Sequence, residues 1–67
     1  MEKGIVQFYI TEKGYGYIRL INSLEEIYVQ AKDITEHLQK GDIVRFQLCE
    51  NKFGLYATQV QKIKEKL

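Results

Sequence analysis

No stretch of this chain has the apolar spacing of an interior helix. Its apolar residues come in short β-branched and aromatic runs separated by polar turns. In 67 residues that pattern leaves room for little but a small all-β domain. Ile5 to Ile10 is rich in strand formers and is predicted as a first strand. A polar turn, Thr11 to Gly14, leads to a second strand from Tyr15 to Ile21. It alternates Gly16, Ile18 and Leu20 on one face with Tyr15, Tyr17 and Arg19 on the other. Asn22 to Glu25 turns the chain into a third strand, Glu26 to Ala31. Here Ile27 and Val29 oppose Tyr28 and Gln30. Asp33 followed three residues later by Glu36 has the spacing of a capping box and predicts a helical turn from Ile34 to Leu38, ended by Lys40-Gly41-Asp42. Ile43 to Glu50 reads as a fourth strand, with Val44, Phe46 and Leu48 inward and Arg45, Gln47 and Cys49 outward. Asn51 to Gly54 reads as a hairpin loop and Leu55 to Gln61 as a fifth strand. The tail from Lys62 to Leu67 reads as frayed or as a helical turn through Val60, Ile63 and Leu67.

Five strands in a chain this short are too few for a sandwich. A closed or nearly closed barrel hides their edges at this size. The expected core is Val6, Ile18, Leu20, Ile27, Val29, Ile34, Val44, Phe46, Leu48 and Val60. There is no proline, no Ser/Gly-rich linker, no charge block and no internal repeat, so residues 1–67 are expected to form one domain. An exposed edge on the first or fourth strand would permit a homodimer.

Several functions are disfavoured by counts alone. One Cys and one His are too few for a closed zinc site, and one Cys forms no internal disulfide. No apolar run nears the roughly 20 residues that span a bilayer. The N-terminus lacks the apolar region of a signal peptide, which gives a cytoplasmic expectation. His37 and Cys49 stand apart from any acid–base or nucleophile cluster and read as surface residues, so no enzyme activity, cofactor, metal or small-molecule substrate is expected. Ten Lys and Arg balance nine Asp and Glu, for a net charge of +1. Dedicated duplex binders usually carry a strong basic excess.

The informative segment is Lys13-Gly14-Tyr15-Gly16-Tyr17-Ile18. Tyrosines two residues apart on a strand share a face. The two glycines beside them are expected to keep the backbone low for a flat ligand, and Lys13 to meet a phosphate. If the second and third strands form a hairpin, Tyr28 joins Tyr15 and Tyr17 on one exposed surface, with Phe8 beside them. Such a surface suits base stacking, worth about 1–3 kcal/mol per base.

These residues resemble the bacterial cold-shock domain family. Lys13 to Ile18 is similar to that family's Lys-Gly-Phe-Gly-Phe-Ile motif, with Tyr for both Phe. Ile27-Tyr28-Val29-Gln30-Ala31 resembles its Val-Phe-Val-His-Phe motif, and Gly4 to Tyr9 its Gly-x-Val-Lys-Trp-Phe opening. Leu38 to Phe46 resembles Leu-x-x-Gly-x-x-Val-x-Phe, and Gly54, Ala57 and Val60 fit its Gly-x-x-Ala-x-x-Val ending. The resemblance runs in order along nearly the whole chain. It implies a five-stranded antiparallel barrel of the oligonucleotide-binding type that holds single-stranded RNA or DNA and acts as an RNA chaperone. An RNA recognition motif carries a similar signature, but on its third strand after a long helix, whereas here the signature begins at residue 13.

The departures bear on strength. Phe8 replaces a tryptophan, Gln7 a lysine, and Gln30 and Ala31 a His and a Phe. The loop after Ile34 is about four residues shorter than in typical members and lacks an aromatic often found there. Phe53 and Tyr56 occupy the last hairpin, where polar or basic residues and proline are commoner. The expected nucleic-acid contacts are Phe8, Lys13, Tyr15, Tyr17, Tyr28, Gln30 and Phe53, with single-strand binding weaker than a standard member's. Arg19, Lys32, Arg45 and Lys52 are further cations for the strand's path. The alternative is a barrel turned protein-interaction module, since exposed tyrosines also suit protein interfaces.

Overall fold

The computed structural model describes residues 1–64. Five strands, β1 (Glu2–Ile10), β2 (Tyr15–Leu20), β3 (Glu26–Gln30), β4 (Ile43–Asn51) and β5 (Gly54–Lys62), form a closed barrel in the order β1-β2-β3-β5-β4. Neighbours run antiparallel except β3 and β5, which are parallel. β1 starts earlier than expected because Glu2 to Ile5 pair with Phe46 to Ile43 of β4. That pairing closes the barrel, so neither β1 nor β4 keeps the free edge expected for a homodimer.

Val6, Ile18, Ile27, Val29, Val44, Phe46 and Val60 are buried as expected, while Leu20, Ile34 and Leu48 pack half-buried against them. Leu38 and Ala57 complete the core. Ala57 escapes a strict alternation count because β5 is not regular. Its register against β4 shifts between Arg45 and Gln47, and Gln59 has a positive φ of 54°. The irregularity brings Ala57 and Val60, three apart, to the same interior.

The helical turn expected over Ile34 to Leu38 does not form. A single 3-10 turn at Ala31–Asp33 precedes it instead, with no side-chain cap. Ile34 is extended (φ −113°, ψ 150°) and bridges Val60 in parallel. The Thr35 hydroxyl donates to the Val60 carbonyl at 3.4 Å. The β-branched Ile34 thus follows its extended preference, and Asp33 lies inside the turn rather than capping it. Leu38 reaches the core from irregular backbone. At the other end, β5 continues to Lys62, and the Ile63 amide donates to the Ile43 carbonyl at 2.9 Å. A helical turn from Val60 through Ile63 is therefore excluded; Leu67 lies outside the described residues.

Candidate nucleic-acid interface

One irregularity in β1 builds the outer face. Val6 pairs with Ile18 and Phe8 pairs with Tyr17, so Gln7 is an extra residue in β1. Strict alternation would put Val6 and Phe8 on the same side. The bulge re-aims the chain, leaving Val6 buried and Phe8 39% exposed. Tyr9 packs half-buried against the core, the structural role its position suits.

β2 and β3 form the expected hairpin pairing, with Tyr17 opposite Tyr28 and Tyr15 opposite Gln30. Four rings thereby touch in a closed circuit. Phe8 lies 6.2 Å from Tyr15 and 5.5 Å from Tyr17 between ring centroids, and Tyr28 lies 6.0 Å and 5.7 Å from the same two rings. Edge and tilted contacts hold each ring by its neighbours. Gln30 extends it, its amide donating to the Tyr28 hydroxyl at 3.3 Å. Lys13 is exposed in the turn leading to Tyr15.

The glycines of the motif do not serve the ring face as expected. A Cβ on buried Gly16 would strike the Phe8 carbonyl oxygen and come within 2.8 Å of the Tyr9 Cα. Gly16 therefore permits the close approach of β1 and β2. Gly14 has φ +73°, the left-handed turn conformation glycine tolerates best, and its carbonyl accepts from the Ala31 amide at 2.9 Å.

Beyond Tyr28 the face falls into a groove of about 760 Å³ between β3, the 3-10 turn and the β4–β5 hairpin. Tyr17, Tyr28, Gln30, Lys32, Phe53 and Tyr56 are among the residues lining it. Phe53 stands at the hairpin tip, 86% exposed, its amide bonded to the Asn51 side-chain oxygen at 2.8 Å and the Lys52 ammonium 5.2 Å from its ring centroid. Phe53 thus stands across the groove from the platform rather than within it. The other cations sort by position. Lys32 borders the groove. The Arg45 guanidinium is held by Gln61 at 2.9 and 3.0 Å, and Arg19 lines a separate depression with Ile5 and Leu24. The groove itself is not visible in local sequence patterns, because it depends on the parallel seam between β3 and β5. The unusual aromatics Phe53 and Tyr56 were its only sequence signal.

A closed five-stranded barrel carrying a contiguous aromatic face on β1, β2 and β3 is the form of an oligonucleotide-binding protein. The chain belongs to the family described as the 'Cold-shock' DNA-binding domain, whose pattern it matches over residues 2–63. This is a family of nucleic-acid-binding domains rather than of enzymes. No curated protein matches the chain significantly.

Proposed function

We propose that this protein binds single-stranded nucleic acid, RNA in the cell, by stacking unpaired bases on Phe8, Tyr15, Tyr17 and Tyr28. The observation that carries this reading is the four-ring circuit on one outer face of the barrel. Every base has a π-face, so such a surface is tolerant of sequence. Duplex bases are already stacked on one another and are unavailable to it. Lys13 meets the backbone, Gln30 offers its amide to a base edge, and Phe53 guards the far side of the groove. Holding strands unpaired is how such a protein would act as an RNA chaperone. The family match favours this reading over a protein-interaction module.

With a net charge of +1, stacking rather than charge carries the affinity. The test is fluorescence anisotropy with a labelled oligo-uridylate heptamer and a duplex of the same length across a salt series. The single strand binds and the duplex does not. Even if Lys13, Lys32 and Lys52 all meet phosphates, the log–log salt slope is no steeper than about −2, at about −0.7 per contact. Duplex binding as tight as single-strand binding, or a slope several-fold steeper, would overturn the reading.

A further inference from the structure

Phe8, Tyr17, Tyr28 and Tyr56 occupy one register row. Phe8 pairs with Tyr17, Tyr17 with Tyr28, and Tyr28 with Tyr56 across the parallel seam. The row therefore crosses four adjacent strands. Ring contacts join its first three members, but among the described residues Tyr56 takes part in none. Neighbouring strands lie about 4.8 Å apart, so two tyrosines facing each other across a pair normally have rings within touching range. Here both rings line the groove that opens between β3 and the β4–β5 hairpin. Two half-buried tyrosines in register, with no ring contact between them and one groove lined by both, make a slot for a planar group.

We infer that Tyr28 and Tyr56 flank a further base-binding slot. It receives a base of the same single strand after that strand leaves the Phe8–Tyr17–Tyr28 row. This deepens the proposed function and rests on it. The slot lies on the side where the chain has lost its aromatics at Gln30 and Ala31, so it moves part of the stacking surface from β3 to β5. Phe53 bounds it at the hairpin tip, and Lys32, which also lines the groove, takes the phosphate beside the inserted base. The Thr58 hydroxyl and the Gln30 amide line the same groove and give the base edge polar partners.

The experiment compares the wild-type protein with Tyr56→Leu and Tyr17→Ala. Oligo-uridylates of increasing length are titrated at low salt by anisotropy, with a thermal melt of each variant. Leucine keeps apolar cover over the seam while removing the ring. In the wild type, affinity rises with each nucleotide until the Tyr28–Tyr56 slot is filled. Tyr56→Leu loses about fivefold or more with the longest oligomers and little with the shortest, at an unchanged melting temperature. Tyr17→Ala weakens binding at every length. Equal affinities of Tyr56→Leu and wild type at all lengths, with Tyr17→Ala still weakened, would overturn the slot and leave the platform standing. Should Tyr56→Leu melt early, ring-proton shifts of Tyr56 in the wild type decide: an upfield shift on adding the long oligomer supports the slot, and no shift overturns it. Absence of wild-type binding at every length would overturn both.

Discussion

Replacing Tyr17 with alanine removes the ring that touches both Phe8 on β1 and Tyr28 on β3. The side chain lies on the outer face, opposite the barrel core, so the fold survives its loss. The expected outcome is a native-like spectrum with affinity for an oligo-uridylate lowered by about 1–3 kcal/mol, the cost of one stacked base. Isothermal titration beside circular dichroism measures both. An unchanged affinity would mean that Tyr17 is an ordinary surface tyrosine. The ring face was legible in the sequence because two-residue spacing puts Tyr15 and Tyr17 on one side whatever the tertiary structure. Phe8 was harder: spacing alone puts it with Val6, and only the bulge at Gln7 turns it outward. The glycine between the tyrosines, Gly16, was misassigned because the sequence does not show which backbone it approaches.

At the scale of elements, β1 and β2 come so close at Gly16 that any side chain there meets the backbone of Phe8 and Tyr9 as well as the Tyr9 ring. Gly16→Ala is expected to destabilise the barrel by at least about 1–3 kcal/mol, as overpacking does in well-packed interiors. A chain of this size has a total stability of roughly 3–10 kcal/mol, at 0.05–0.15 kcal/mol per residue. Urea denaturation of the variant should show a clearly lowered midpoint; an unchanged midpoint would mean that the strands separate there at no cost. Strands were legible wherever alternation was regular, as in β2 and β3. The helical turn after Asp33 was not, since the capping-box spacing competed with the extended preference of Ile34, and the bridge from Ile34 to Val60 settled it. Ala57 was invisible for a related reason, as the irregularity at Gln59 breaks the period by which inward residues are counted.

At the scale of the whole molecule, closure is what makes a chain this small workable. β1 pairs with β4 at one seam and β3 with β5 at the other, so five strands cover one core with no open sheet edge. The same closure curves β1, β2 and β3 into a single outer face. Residues 20 positions apart, such as Phe8 and Tyr28, are thereby brought to one surface. The five-stranded barrel was legible through the family resemblance. The groove beside the platform was not, because it arises where the β3–β5 ladder is reduced to the pairing of Tyr28 with Tyr56. With a net charge of only +1, the proposed function has the rings, not a strong basic field, define where a ligand lies. The place of binding therefore matters as much as its affinity. It is tested most directly by an amide-proton NMR titration of the isotope-labelled protein with an oligo-uridylate heptamer at low salt. Shifts are expected to cluster on Phe8, on residues 13–17 and on Tyr28, with the β1–β4 side of the barrel unmoved. A well-dispersed spectrum that stays flat throughout the titration, or shifts confined to the side away from the rings, would contradict it.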